Sequence, residues 1–399
     1  MIEIKMALID DKASFVESMA ERIEGAAKTA AIHTDFFKIA QTDSHSAMGG
    51  MDASLFELIK EFPLLRKGER SRTAIARNLE RVDMALIDFD LRGLPLEEGL
   101  ITGERIAQLI RHFISTGPIV LVDRKQVRIF DLSHRHPPNP NADFTLRVED
   151  LDARGLWGGT PRGYDPWYWP NLVETARNYA KRVDFVGRHY EDQITKSLGV
   201  PEEVEALLPG EDTRLAQDLR ELSFAKLTEG LMLPKEDEAV PNECKHRLAA
   251  TAIGTWLQSV VLPPQDILID APHLVRHCPG LLRGSPIAST LGKLAMKQAG
   301  GRVPVDLDKI ERHRFKHEFW LDRPVWWLSG ILEDRRIKDI AEPWNKKSLA
   351  LEFAEDSSRF HRPSELVPYE SEGFFATRYV RGANFFHGVQ YEPRVRLAA

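Results

Sequence analysis

Four aspartates stand directly after short apolar runs of the sequence. Asp10 and Asp11 follow one run, Asp88 follows a second, and Asp123 follows a third. The carboxyl ends of parallel strands form the ligand crevice of an open α/β sheet, so we expect these side chains to converge. Converging carboxylates repel one another unless a cation such as Mg²⁺ neutralises them, and such a cation also positions phosphoryl groups against a nucleophilic aspartate. A simpler interpretation, that aspartate is a common turn residue at strand ends, stays open here.

The runs that precede these acids have the pattern of buried parallel strands. Residues 6–9, 84–87 and 119–122 are continuously apolar, as expected when helices cover both faces of a sheet. Residues 30–36 and 144–148 are two further strand candidates. The sequence therefore predicts a sheet of five strands.

Amphipathic segments between these strands predict helices. Phe15, Met19 and Ile23 recur at helical spacing, with Gly25 as the expected end of that helix. Residues 106–113 and 170–183 show the same period. Alternation of strands and helices implies βαβ units and a parallel sheet.

Composition narrows the class of protein. The 399 residues are 43% apolar and 29% charged, which is typical of folded globular chains of two or three domains. The net charge of −6 gives no global basic field for nucleic acid. Two cysteines, Cys244 and Cys278, exclude a disulfide framework and favour a reducing, cytoplasmic setting. We find no signal peptide pattern and no apolar run that could span a membrane.

The N-terminal half resembles the receiver domain of two-component response regulators. Residues 7–11 match the first strand and acidic pair of that family, and residues 83–93 match the strand with the phosphoacceptor and its following loop. The next helix and the last two strands match at 103–111, 118–122 and 142–147. The resemblance covers about residues 1–185 and implies a flavodoxin-like, doubly wound, five-stranded parallel sheet.

The resemblance also implies a set of functional residues. Asp88 would be the phosphoacceptor, and Mg²⁺ would be held by Asp11, Asp88 and the backbone carbonyl of Asp90, with Asp10 in support. Arg147 stands where the family has a lysine and would contact the phosphoryl group. A histidine kinase is the implied partner, and a homodimer is a further expectation.

Three features depart from the family pattern. Asp123 replaces a serine or threonine whose hydroxyl contacts the phosphoryl oxygens, and a carboxylate there would repel them. Arg147 keeps the charge of the lysine but not its geometry, and Val148 follows it instead of proline. Residues 37–80 make the interval between Asp11 and Asp88 unusually long.

The chain is predicted to divide near residue 187. The first part, 1–187, is the receiver-like domain with insertions at 37–80 and 150–170. The second part, 188–399, carries mainly helical patterns of no recognised family and ends in a predicted β-hairpin over 374–397. Residues 190–399 contain no DNA-binding motif, so the expected output is contact with protein rather than with nucleic acid.

Three functions follow from this pattern. The first is a response-regulator-like protein that is phosphorylated at Asp88 in the presence of Mg²⁺ and controls a non-DNA-binding module. The second is an unphosphorylated pseudo-receiver that serves as a scaffold in a prokaryotic multi-protein system, of the kind used in anti-phage conflict. The third is a phosphohydrolase of the haloacid-dehalogenase type, with Asp88 as nucleophile and Asp90 as general acid. A regulatory protein is favoured over an enzyme.

Other clusters are better explained as structure. His273 and His277 lie one helical turn apart, as do His313 and His317, but neither pair has a complete zinc ligand set. Basic residues between 66 and 77 are interrupted by Glu69, so a solvated surface is expected there. Seven of the eight tryptophans lie within 157–169 and 320–344, where core packing is favoured over an interface.

Overall fold

The architecture was taken from a computed structural model. It describes the following residues: 2–41, 50–91, 101–124, 130–131, 141–159, 164–205, 221–232, 240–282, 291, 294, 305–335, 337, 351–369, 377–381 and 389–390.

The N-terminal half alternates strands with helices. Its elements are β1 (Ile2–Ile9), α1 (Ala13–Lys28), β2 (Ile32–Ala40), β3 (Ala53–Ser54), α2 (Leu55–Arg66), α3 (Ala74–Leu79), β4 (Met84–Asp88), α4 (Gly103–Phe113), β5 (Ile119–Asp123), β6 (Phe130–Asp131), β7 (Phe144–Arg147) and α5 (Leu172–Arg188). A short 3-10 helix, Val148–Asp152, overlaps the start of the predicted insertion at 150–170, and a second, Arg154–Trp157, lies within it.

Six parallel strands form one sheet in the order β3-β2-β1-β4-β5-β7. All five predicted strands are present, so the prediction of a parallel α/β unit is confirmed. The expected number of five is wrong, because β3 adds a sixth strand at the edge. Asp52 attaches this strand to β2 through two hydrogen bonds with Lys38. The Asp52 carboxylate accepts from the Lys38 amide, and the Asp52 amide donates to the Lys38 carbonyl.

Alternate side chains of the central strands pack on opposite faces of the sheet. In β1, Ala7 and Ile9 join a core with α2 and α4, whereas Met6 and Leu8 join a core with α1 and α5. All four are fully buried. Since each large apolar side chain contributes about 1.5–3 kcal/mol when buried, this double coverage explains the unbroken apolar runs of the sequence.

The first helix is longer than predicted. Gly25 lies inside α1, and the helix ends at Lys28, so the expected stop at Gly25 is wrong. Ala26 and Ala27 are buried and have high helix propensity, which carries the helix past the glycine.

The C-terminal half combines short helices with small sheets. Its elements are α6 (Ile194–Leu198), α7 (Glu202–Glu205), α8 (Phe224–Leu231), α9 (Asn242–Trp256), β8 (Leu268–Asp270), α10 (Ala271–His277), α11 (Leu307–Ile310), β9 (Val325–Trp327), α12 (Leu328–Glu333), β10 (Glu352–Ala354), β11 (Arg359–His361), β12 (Val367–Tyr369), β13 (Arg378–Val380) and β14 (Val389–Gln390). Trp256, Trp320 and Trp326 are almost fully buried in its core, as core packing predicts.

The predicted C-terminal hairpin does not match the pairing of the described strands. β13 pairs with β10 and β12, in a four-stranded sheet of order β11-β10-β13-β12. β14 pairs instead with β6 of the N-terminal half. The rest of the predicted second strand, over 385–397, lies outside the described residues.

The two halves share packing surfaces. α9 packs against both α4 and α5, and Cys244 and Leu248 of α9 enter the core beneath α2 and α4. The predicted boundary near 187 falls at the end of α5 and stays a prediction. Within the described part of the chain, no helix is both long and apolar enough to cross a bilayer.

Candidate metal centre

Three aspartates meet at the carboxyl end of the central strands. Asp10 and Asp11 follow β1, and Asp88 ends the neighbouring strand β4, whose Ile87 lies opposite Ile9. One carboxylate oxygen of each aspartate lies within 4.8 Å of the others. The sequence predicted that four aspartates converge, and the structure groups three of them, without Asp123. Three oxygen ligands at this spacing could hold a divalent cation.

Asp88 is the most unusual member of this group. It is 1% exposed, and neither carboxylate oxygen has a hydrogen-bond partner of normal geometry among the described residues. Burial raises its pKa to about 6, the Asp11 and Asp90 charges also raise it, and Arg124 opposes them. A hydrogen bond from the Asp90 backbone also opposes the shift, but none of the contacts to this buried carboxylate has normal hydrogen-bond geometry, so its oxygens favour an external cation.

Asp10 is fixed by the backbone around it. Its Oδ1 accepts a 2.8 Å hydrogen bond from the Lys12 amide, and its own amide donates to the Ile39 carbonyl at 3.1 Å. Burial, a hydrogen bond with Asp11 and the charge of Asp88 raise the pKa of Asp10 to about 8. Burial and the neighbouring carboxylates therefore favour the protonated form of Asp10, whose proton a bound cation would displace.

The raised pKa of Asp88, caused chiefly by burial, predicts an unusual dependence of stability on pH. The pKa of Asp88 is higher in the folded than in the unfolded protein. Folding therefore favours the protonated carboxyl, and the stability that this provides at low pH is lost as the pH rises through about 6. Asp88→Asn stays neutral and escapes this loss. We expect its stability advantage over the wild type to grow by about 1 kcal/mol between pH 5 and pH 8, after allowance for solvent screening. Urea unfolding with a chelator present would measure it, and a difference that is constant with pH would contradict it.

Arg124 completes the site and was not anticipated from the sequence. Its Nη2 contacts Oδ2 of Asp10 and lies 3.4 Å from Oδ1 of Asp88. The guanidinium also stacks on the ring of Phe15 at 3.4 Å from the centroid. Arg124 directly follows β5, so the parallel arrangement of β4 and β5 delivers it to the same end of the sheet.

Gly103 allows α4 to approach the site closely. A Cβ at this position would lie 2.0 Å from the backbone oxygen of Asp88 and 2.9 Å from the Cα of Phe89. The Gly103 amide donates a 3.0 Å hydrogen bond to the Phe89 carbonyl. Thr102 caps the helix by accepting a hydrogen bond from the Arg105 amide. The backbone after Asp88 is thereby held against the first turn of α4.

The remaining predicted site residues lie around this group. The guanidinium of Arg147 pairs with the carboxylate of Asp150 through both Nε and Nη2. Asp123 is 6% exposed, lies opposite Arg147 in the strand register and is not one of the three clustered aspartates. Asp90 is half-buried, and its charge acts on Asp88.

A second buried polar cluster explains part of the histidine pattern. His273 contacts Asp270 through Nδ1 at 2.5 Å and Glu355 through Nε2 at 2.8 Å. Arg378 donates from Nε to the same Glu355 oxygen at 2.5 Å, and Trp167 donates to Asp270. These contacts join the loop before α5 to β8, α10 and the C-terminal sheet, so the cluster is a structural network.

The charges of this network stabilise one another. Burial alone would raise the pKa of Asp270, but His273 and then Arg323 hold that pKa below its usual range. Arg378 and His273 lower the pKa of Glu355 against the same opposing effect of burial. Among the residues that the structure describes, the aspartate group remains the single set of three that could bind a metal.

Comparisons of the chain with protein-family models, with curated proteins and with solved structures found no significant match.

Proposed function

We propose that the N-terminal half is a receiver-like domain in which Asp88 accepts a phosphoryl group while Asp10, Asp11 and Asp88 hold Mg²⁺. The observation that carries the proposal is the buried Asp88 carboxylate. It has no hydrogen bond of normal geometry, and one of its oxygens lies within 4.8 Å of an oxygen of Asp10 and of Asp11. Asp90 extends the acidic surroundings of this site.

Strand order supports a flavodoxin-like arrangement. If edge strand β3 is set aside, the order β2-β1-β4-β5-β7 corresponds to the doubly wound order 2-1-3-4-5. The topological switch point of such a sheet lies between its first and third strands, and ligands bind there at the carboxyl ends. These strands are β1, which Asp10 directly follows, and β4, which ends at Asp88.

The chemistry needs a nucleophilic carboxylate, a cation and a phosphodonor. With a pKa near 6, Asp88 is mainly ionised at pH 7 and can attack phosphorus. Mg²⁺, when bound, shields the negative charges that come together and orients the phosphoryl oxygens. One carboxylate oxygen of Asp88 forms the new O–P bond, and the electron pair of the old bond leaves with the donor group.

The proposed consequence is a change of contacts in the C-terminal half. The partner would be a histidine kinase or another protein that supplies the phosphoryl group. The loop before α5 is tied to the C-terminal sheet by two backbone hydrogen bonds, from Asp165 to Asp356 and from Trp167 to Glu355. Through these hydrogen bonds and the packing of α9, a conformational change in the N-terminal half can alter the C-terminal half.

A second candidate is a pseudo-receiver that acts as a scaffold without phosphorylation. Arg124 favours it, since a guanidinium already contacts Asp10 and lies close to Asp88. The aspartate at position 123, in place of a hydroxyl residue, also favours it because a carboxylate repels phosphoryl oxygens.

Intact-mass measurement after incubation with Mg²⁺ and acetyl phosphate distinguishes these candidates. We expect one phosphoryl adduct on the wild type, complete loss of the adduct in Asp88→Asn, and retention in Glu57→Gln, a matched change on the exposed surface of α2. Absence of an adduct from the wild type would overturn the phosphoacceptor proposal in favour of the scaffold. Steady turnover of a phosphate ester that requires Asp90 would indicate a phosphohydrolase instead.

A further inference from the structure

One positively charged side chain, Arg124, lies beside the three clustered aspartates. Phosphoryl transfer would need a positive charge at this position. Arg124 reaches two of the three aspartates with a single nitrogen, Nη2. Its guanidinium is held over the ring of Phe15, and its side chain is 23% exposed. An arginine fixed in this way keeps its donors oriented and loses little entropy when it binds a planar or tetrahedral anion.

Charge balance indicates why a second cation matters. Asp10, whose pKa is about 8, would lose its proton when Mg²⁺ binds, and the three aspartates would then carry three negative charges, of which the divalent cation would neutralise two. Phosphorylation of Asp88 then adds about one further negative charge at neutral pH, because a phosphoryl dianion replaces a carboxylate. A monovalent cation beside the reacting oxygen would compensate this charge, and preorganised donors at such a position commonly accelerate reaction by two or more orders of magnitude.

Arg147 is engaged elsewhere. Nε and Nη2 of Arg147 both bind Asp150, whose carboxylate also accepts a hydrogen bond from the Arg147 amide. The three contacts close the first turn of the 3-10 helix Val148–Asp152. Recruiting this guanidinium to Asp88 would require breaking both of its side-chain hydrogen bonds to Asp150, whereas Arg124 is already at the site.

We infer that Arg124, rather than Arg147, supplies the positive charge at the phosphoryl group of Asp88. This inference rests on the proposed phosphoacceptor function. In the structure Arg124 pairs with Asp10 and lies close to Asp88. With the carboxylates neutralised by a bound cation, the same guanidinium would donate to the oxygens of the incoming phosphoryl group. Asp88 forms the O–P bond, the bond to the donor breaks, and its electron pair leaves with the acetate of acetyl phosphate.

The test compares phosphorylation rates at saturating Mg²⁺ in the full-length chain. Arg124→Gln is expected to slow formation of the Asp88 adduct about 100-fold. Arg124→Lys restores a positive charge and is expected to recover most of the loss. Arg72→Gln removes an exposed arginine of the same domain and serves as the matched control. Calorimetric titration with Mg²⁺ checks that the metal site is intact. We expect Arg124→Gln to bind Mg²⁺ more tightly than the wild type, because the guanidinium that competes for the carboxylates has been removed.

The outcomes separate this inference from the proposed function. Wild-type phosphorylation with a normal rate in Arg124→Gln would overturn the inference and leave the phosphoacceptor proposal standing. The same holds if Arg147→Gln, and not Arg124→Gln, loses the adduct. No adduct on the wild type would overturn both. If Arg124→Gln loses Mg²⁺ binding together with the adduct, Arg124 is a structural residue and the inference is also wrong.

Discussion

Gly103→Ala is expected to destabilise the protein by about 3 kcal/mol or more and to displace the backbone that carries Asp88. The new Cβ would lie 2.0 Å from the Asp88 oxygen and 2.8 Å from the Asp88 carbonyl carbon. Both are backbone atoms of a central strand, so no flexible side chain can move aside. Overpacking commonly costs 1–3 kcal/mol, and a contact of this kind belongs at or beyond the upper end.

Gly25→Ala is the matched control for this prediction. Gly25 also lies in a helix, but a Cβ there would meet nothing within 4 Å. Alanine should stabilise this position by about 0.5–1 kcal/mol. Urea unfolding of the two variants, with Mg²⁺ titration of each, measures both effects. If Gly103→Ala were as stable as Gly25→Ala and bound Mg²⁺ normally, the close approach of α4 to Asp88 would be wrong.

Glu355→Gln is expected to cost about 3–5 kcal/mol. The substitution keeps the shape of the side chain but removes its negative charge. The Glu355 side chain is 1% exposed and contacts both His273 and Arg378. Removal of one partner of a buried ionic group leaves the other charges uncompensated, and this usually costs far more than the net contribution of the pair. Arg378 and Asp270 would then remain buried in an incomplete network.

An exposed ion pair provides the comparison. Glu57 and Lys60 form a salt bridge with both side chains more than half exposed, so Glu57→Gln should change stability by no more than about 0.5 kcal/mol. Chemical denaturation of both variants at pH 7 gives the two values. Equal, small effects would show that the network around His273 does not contribute to the integrity of the C-terminal half.

The sheet and three of its acids could be predicted from local sequence alone. A buried parallel strand must be apolar on both faces, and the run from Met84 to Ile87 has no other reasonable interpretation. The position of Asp88 and Asp10 at strand ends then follows from the parallel direction of β1 and β4. The convergence of these acids then requires only that β1 and β4 are neighbours, as expected for the first and third strands of a doubly wound sheet.

Arg124 and Gly103 could not be found in this way. Arg124 is one of many basic residues, and its role depends on the strand order that places β5 beside β4. Gly103 reads as an ordinary residue at a helix start, and its importance depends on how closely α4 approaches Asp88. The signal for Arg124 was its position directly after an apolar strand, the same signal that identified the aspartates.

The pairing of segments that are distant in the chain also could not be predicted from the sequence. β14 pairs with β6 across more than half of the chain, whereas the local pattern favoured a hairpin with the preceding strand. The network of His273 joins Trp167 to Glu355 in the same way. Local periodicity carries no information on which remote partner a short strand or a buried charge will select.

The most direct test of the candidate metal centre is to locate a bound cation by anomalous scattering from crystals grown with Mn²⁺, which shares the preference of Mg²⁺ for carboxylate oxygens. We expect a peak about 2 Å from carboxylate oxygens of Asp11 and Asp88, with Arg124 withdrawn from Asp88. A map with no peak between the aspartates, and with Arg124 still joined to Asp10 and close to Asp88, would contradict it.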